Sequence, residues 1–330
     1  MGSEMCIRDS IGNVLWNWRM FLATGEGRFM DVVELALYNS VLSGTSLDGT
    51  NFFYVNPLRS VRPMPIDLRW KHERVPFMGS FCCPPNLART LAEVGGFAYG
   101  KSENALWVNL YGSSEVTAGI KNAGKVRLKQ ETDYPWNGRI RFTVEECPVR
   151  EFAVNLRVPR WVSEPGKSAK VKINGVRADR LSSRAAGYLT IRRAWKQGDT
   201  VELELSMPAR LVESNPMVEE TLNQVAVKRG PLIYCLEGGT TQKKAVSSVM
   251  DVSIPANAEL APRFDRSVLG GVEVIETQGF VREKAPWGRD LYRSREAVST
   301  KRIKLQFVPY FAWANRGANE MTVWLPLTPK

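Results

Sequence analysis

Phe77-Met78-Gly79-Ser80-Phe81-Cys82-Cys83-Pro84-Pro85-Asn86 decides the reading of this chain, because it combines a helix start with two adjacent thiols. Pro84 and Pro85 suit a first helical turn, Leu87, Leu91 and Val94 recur at i, i+4 and i+7, and Gly95-Gly96 supplies a stop. Consecutive Cα atoms lie about 3.8 Å apart, below the roughly 4.4 Å minimum of an ordinary disulfide, so Cys82 and Cys83 are expected as thiol or thiolate. Ahead of a helix N-terminus, the macrodipole and unpaired amides favour the thiolate. Two readings stand at this point: a reactive or metal-bound sulfur pair, and two small apolar side chains packed under a helix cap.

Upstream the pattern is helical. Trp16, Met20 and Phe21 begin an apolar stripe, Gly25-Glu26-Gly27 interrupts it, and Val32, Val33, Leu35, Ala36, Leu37 and Val41 continue on a second helix that Gly44 ends. The stretch 46–75, with Asp48-Gly49, Asn56-Pro57 and further prolines, reads as a loop or hairpin region. After Tyr99 the period changes to two: Val126 and Leu128, then Ile140, Phe142 and Val144, then Val154, Leu156 and Val158 alternate with polar residues. Asn174-Gly175 and Gly198-Asp199 mark turns, residues 240–265 read as a long polar loop, and strands follow at 272–275 and 321–325. The expected fold is α+β and multi-domain, with helices over 1–100, an antiparallel β-sandwich over 101–238, and a second sandwich or a continuation of the first over 239–330.

Composition narrows the function. With 330 residues, 44% of them hydrophobic, the chain can bury a sizeable core. No run approaches the roughly 18 apolar residues of a membrane helix, so no membrane partner is expected. The net charge of +11 is spread among Glu and Asp, and its densest run is Lys301-Arg302-Ile303-Lys304. That distribution reads as a solvated basic surface, not a nucleic-acid site. Five cysteines at irregular spacing do not make a disulfide framework. His72 is the only histidine, which excludes multi-histidine metal sites; in its charged loop it is expected at the surface. A metal would have to be held by sulfur and carboxylate.

Several segments together resemble glycoside hydrolase family 127, the β-L-arabinofuranosidase family. They are Ile11-Gly12-Asn13 with 16–20, Phe52-Phe53-Tyr54-Val55-Asn56-Pro57-Leu58, Cys82-Cys83-Pro84-Pro85-Asn86 with Arg89, Asp133-Tyr134-Pro135-Trp136, Leu156-Arg157-Val158-Pro159-Arg160-Trp161, Ile173-Asn174-Gly175 and Val227-Lys228-Arg229-Gly230-Pro231-Leu232. The resemblance implies the terminal helices of a catalytic α/α barrel followed by β-sandwich domains. It implies Cys82 as nucleophile, Cys82 and Cys83 as ligands of Zn2+, Tyr54 as a residue lining the sugar pocket, and arabinofuranosides of plant glycans as substrate. Asn86 and Arg89 are expected to cap and anchor the helix.

The chain also departs from that pattern. The family's other two zinc ligands form a Glu-x-Cys just before the helix that holds Ile11. Glu4-Met5-Cys6 has the letters, but Cys6 stands two residues too early, which turns a helical side chain by about 200°. The run Met5-Cys6-Ile7-Arg8-Asp9-Ser10 reads as foreign to the helix it joins. The general acid/base would precede residue 1, and Glu26 and Glu34, the nearest carboxylates, sit on no matching motif. The chain alone is therefore expected to be inactive, with weak zinc affinity, and its localisation is left open. The alternative is a carbohydrate-binding or structural β-sandwich protein, favoured if Trp107, Trp136, Trp161, Trp195, Trp287 and Trp313 gather exposed on one sheet face.

Overall fold

The computed structural model describes residues 6–62, 70–148, 150–162, 169–178, 183–185, 187–238, 248–283, 292, 294 and 299–328. Glu4 and Trp287 lie outside the described residues. Two compact units alternate along the chain: Ile7–Val41 with Ser80–Pro208, and the residues up to Cys6 with Leu42–Gly79 and Ala209–Lys330. No helix among the described residues is long and apolar enough to cross a membrane.

In the first unit, helix α1 spans Ile7–Thr24 and α2 spans Gly27–Ala36, continued by a π-helical turn over Leu37–Val41. The buried side of α1 carries Ile7, Ile11, Val14 and Phe21, spaced at helical intervals, whereas Trp16 is 67% exposed. Of the stripe expected from Trp16, Phe21 is buried and Met20 half-buried, while Trp16 itself faces outward. The run Ile7 to Ser10 is an integral first turn, with Ile7 and Ser10 both buried. Helix α3, Cys83–Glu93, buries Cys83, Leu87 and Thr90 at i, i+4 and i+7. Leu91 and Val94, expected on the buried side, face outward, and Gly95–Ala98 forms a further short helix in place of a stop.

The strands of this unit make two sheets. One runs Ser183–Ala185, Tyr188–Ala194, Glu151–Arg157, Ala105–Val108 and Tyr99–Lys101 in spatial order; the other runs Ser114–Ile120, Gly124–Thr132, Arg139–Glu146, Thr200–Leu205, Ala169–Ile173 and Val176–Arg177. Leu106, Val154, Leu156 and Ile191 of the first share one core with Val126, Leu128, Phe142, Val171 and Leu203 of the second. That shared core is a β-sandwich, produced by the period-two alternation. One pairing departs from the antiparallel expectation: Ala105–Val108 runs parallel to Glu151–Arg157. Parallel neighbours need a crossover, and here the intervening chain supplies three strands of the opposite sheet.

The helices pack on the sandwich through aromatics. Phe21 stacks on Tyr188 at 5.9 Å and meets Trp107 edge-on at 6.2 Å. Gly187, at φ +84°, comes so close to α2 that a Cβ there would stand 3.3 Å from the Gly27 Cα, so a glycine is needed for both the backbone and the contact.

At the turn before Thr200–Leu205, Asp199 accepts hydrogen bonds from the Asn174 carboxamide at 2.8 Å and the Lys196 amide at 2.9 Å. Burial works to raise this carboxyl, but those bonds and Arg193 hold it below its usual value. Its stabilisation is therefore present above the unfolded carboxylate pKa of about 3.9 and is lost as pH falls through the lower folded value. Asp199→Asn is expected to shallow the acid side of the pH–stability curve, checked by urea melts from about pH 6 to pH 2.

The second unit is built on one branched sheet. Its main path runs Arg59–Ser60, Met321–Thr322, Leu232–Glu237, Thr300–Pro309, Val272–Arg282 and Val252–Ser253. The segment read as a long loop at 240–265 holds two strands, Val252–Ser253 and Ala261–Asp265. The second of these pairs only with Val272–Arg282 and buries no face, so it carries no alternation to read. The expected 321–325 strand is interrupted at Val323, whose amide donates to the Leu58 carbonyl at 2.9 Å.

His72 is buried, not at the surface. Its charged neighbours are pinned down with it: Glu73 pairs with Arg62 at 2.8 Å. Arg74 donates to the carbonyls of Ser43 (2.9 Å), Phe311 (3.1 Å) and Trp313 while lying over the Phe53 ring. Burial lowers the Arg74 guanidinium to about 10.

Candidate active site

Cys82 is the N-cap of α3 and Cys83 its first residue. The Asn86 carboxamide donates to the Cys82 carbonyl at 2.7 Å, the Asn86 amide donates to the same oxygen at 3.3 Å, and Thr90 Oγ1 donates to the Asn86 carbonyl at 2.8 Å. Asn86 braces the first turn by bonding back to the Cys82 carbonyl and does not cap the helix as expected, because it accepts from none of the first amides, while Arg89 is simply exposed on α3. Because Cys82 provides no side-chain cap, its sulfur is left to other contacts. The Cys82 Sγ lies 3.3 Å from Ser80 Oγ and 3.6 Å from the Cys83 Sγ. No disulfide joins any of the five cysteines. Cys83 is buried against the body of the unit, whereas Cys82 is half-buried beside Phe81, which is 97% exposed. One sulfur is therefore reachable and the other is not.

The helix start also revises the expected electrostatics. Pro84 and Pro85 carry no N–H, and the Asn86 amide is spent on the Cys82 carbonyl, so this terminus has few amides to offer a thiolate. Asn86→Ala, which leaves the Cys82 carbonyl with the backbone amide bond and removes the carboxamide bond, is expected to cost about 1 kcal/mol of stability, read from the urea midpoint.

Glu26 and Glu34, which sit on no matching motif, are committed elsewhere. Glu26 pairs with Arg28 at 2.7 Å on the surface. Glu34 is buried and meets Arg157 Nη2, the Tyr134 hydroxyl at 2.7 Å and the Trp161 indole N–H at 3.3 Å. Arg157, fully buried, also reaches Asp31 at 2.7 Å and the Asn109 carbonyl at 2.5 Å. Burial opposes the charge on Arg157, but Glu34 and Asp31 outweigh it and hold the guanidinium above its usual value. Burial pushes the Tyr134 phenol well up, with Glu34 adding to it. This cluster was not legible as a unit in the sequence. The signal was an arginine ending the buried run Phe152 to Leu156, which calls for a buried partner.

Tyr54 is half-buried in the other compact unit, stacked face to face on Trp70 with centroids 4.2 Å apart. Cys6 is buried in that unit and bridges Val55. Cys235 is fully buried, and burial raises its thiol well above the usual value, so it is inert.

Three domain models of one family match in succession: the β-L-arabinofuranosidase GH127 catalytic domain at residues 1–96, the GH127 middle domain at 105–207, and the glycoside hydrolase family 127 C-terminal domain at 209–326. The chain belongs to glycoside hydrolase family 127. Over 98% of its length, this family 127 chain is 31% identical to a non-reducing end β-L-arabinofuranosidase of Bifidobacterium longum subsp. longum. A solved glycoside hydrolase superposes on 99% of the chain with TM-score 0.91 and 40% identity. A GH127 β-L-arabinofuranosidase from Geobacillus stearothermophilus T6 superposes on 98% with TM-score 0.88 and 37% identity. The chain spans 49% of the curated relative and 52% and 50% of those two structures, about half the length of each.

Within this family 127 chain, the cysteine pair fits a tetrahedral zinc site as far as two ligands go. Two sulfurs at about 2.3 Å from one tetrahedral ion stand about 3.8 Å apart, and these stand 3.6 Å apart. Among the described residues no group of three or more His, Cys, Asp or Glu is placed to hold a metal, and Glu4 lies outside them.

Proposed function

We propose that this chain is part of a retaining β-L-arabinofuranosidase acting on arabinofuranosides of plant glycans, with Cys82 as nucleophile. The observation that carries the reading is the asymmetry of the pair, a reachable Cys82 sulfur backed by a buried Cys83 sulfur at 3.6 Å. Cys82 and Cys83 would both hold zinc, and the bound ion keeps sulfur deprotonated at neutral pH. The Cys82 thiolate attacks the anomeric carbon as the bond to the leaving oxygen breaks and a carboxylic acid protonates that oxygen. The resulting carboxylate then takes a proton from water, which displaces sulfur and restores the starting configuration. The buried Cys83 stays a ligand and positions Cys82.

Helices α1, α2 and α3 are the terminal helices of an α/α barrel in this proposal, and Tyr54, backed by Trp70, lines the sugar pocket. On this reading the general acid/base lies upstream of these residues, in keeping with Glu26 being paired at the surface and Glu34 locked to Arg157. The chain alone is inactive on this reading. The alternative of a purely glycan-binding sandwich is weakened, since Trp161, Trp195 and Trp313 are core residues and Trp107 and Trp136 are half-buried. The test compares hydrolysis of p-nitrophenyl β-L-arabinofuranoside by the protein with the upstream barrel restored, by its Cys82→Ser variant, and by residues 1–330. Only the first is expected to turn over substrate. Activity in Cys82→Ser would remove Cys82 as nucleophile, and activity in the 330-residue chain would place the acid/base within it.

A further inference from the structure

The outer face of the five-stranded sheet holds a depression that the catalytic reading does not use. Register places Trp107 opposite Asn155 and Asn155 opposite Thr190, while Ala105 is opposite Ala153 and Ala153 opposite Arg192. These two rows are two residues apart along each strand, so all six side chains share one face. The residues between them, Leu106, Val154 and Ile191, point into the sandwich core. All six line one cavity of about 460 Å³, within the usual range of small-ligand sites.

Asn155 marks this face as built for a ligand. It is only 5% exposed, yet its Oδ1 is buried without a hydrogen-bond donor among the described residues. An orphaned buried carboxamide oxygen burdens a fold, and a leucine of similar size would not carry that burden. Two methyl groups form the floor, an indole stands at one side, and an amide, a hydroxyl and a guanidinium supply both donors and acceptors. That mixture matches a sugar ring, whose C–H face lies on apolar surface while its hydroxyls donate and accept. A full anion is disfavoured, because the one guanidinium already has Glu151 at 4.0 Å.

We propose that this depression is a non-catalytic binding site for one neutral sugar residue of a glycan, in which the Asn155 carboxamide turns to bring its buried Oδ1 toward the depression and accepts from a hydroxyl, while Arg192 donates to its neighbour. The site does not depend on the role of Cys82. The test titrates the 330-residue chain with arabinobiose and with xylobiose by calorimetry. At least one is expected to bind with Kd of about 1 mM. Arg192→Ala, at an exposed position, and Asn155→Leu are each expected to weaken binding about tenfold. Asn155→Leu is also expected to raise Tm by about 3 °C, which a merely structural asparagine would not do. No binding of either sugar at tenfold the expected Kd overturns the proposal. Binding unchanged in Arg192→Ala also overturns it, as does binding lost in Cys82→Ser, which would place the sugar at the catalytic cysteine.

Discussion

Cys82→Ser, in the protein with its barrel restored, is expected to lower kcat for p-nitrophenyl β-L-arabinofuranoside by about 10⁴-fold, with little change in KM. The substitution exchanges one atom at the N-cap of α3 and leaves the Asn86 bonds to the Cys82 carbonyl in place, so the local fold should persist. What changes is the reacting atom. A serine hydroxyl has a far higher pKa than a thiol, so at neutral pH it presents almost no anion to the anomeric carbon. Cys83→Ser should behave differently, because Cys83 is buried. It is expected to lose bound zinc first, with activity falling in step, so that measuring metal content beside the rate separates the two cysteines.

Glu34→Ala is expected to destabilise the helix-and-sandwich unit by about 3–5 kcal/mol. Arg157 is fully buried, and removing Glu34 leaves it with Asp31 and the Asn109 carbonyl as its partners among the described residues, one carboxylate in place of two. The Tyr134 hydroxyl and the Trp161 indole would lose their acceptor in the same step. Asp31 compensates only in part: burial raises its carboxyl against the attraction of Arg157, although the variant also removes the repulsion by Glu34 that adds to the rise. A carboxyl raised in the fold contributes stability below its unfolded pKa and loses that contribution as pH rises through the folded value, so Asp31 does not add to stability at neutral pH by this route. The measurement is the urea midpoint of Glu34→Ala against wild type, and an isosteric Glu34→Gln should recover part of the loss, because its one carbonyl oxygen can still accept from the Tyr134 hydroxyl while its NH2 cannot accept from the Trp161 indole.

The sandwich was readable because its core residues obey period two: Val126 and Leu128, Ile140 and Phe142, and Val154 and Leu156 all enter the shared core. Helix existence was readable too, but helix orientation was not. On α1 and α3 the exposed faces also carry large apolar residues, Trp16 at 67% exposure and Leu91 among them, so the apolar stripes read from the sequence mix buried residues such as Phe21 and Leu87 with exposed ones. Ala261–Asp265 escaped notice because an edge strand with no buried face shows no alternation. The cysteine pair stood out through adjacency and the prolines, which are local features. The anchoring of Glu34 by Arg157 joins residues 123 positions apart, and the burial of His72 depends on a loop pinned by Arg62 and Arg74. Contacts of that range leave no short-range pattern to read.

The central claim is that sulfur of Cys82 bonds the sugar. It is tested most directly by denaturing the barrel-restored enzyme during turnover of a slow β-L-arabinofuranoside and mapping its peptides by mass spectrometry. The account predicts one pentosyl residue on the peptide containing Cys82, absent in Cys82→Ser. A pentosyl adduct on an aspartate or glutamate instead would contradict it.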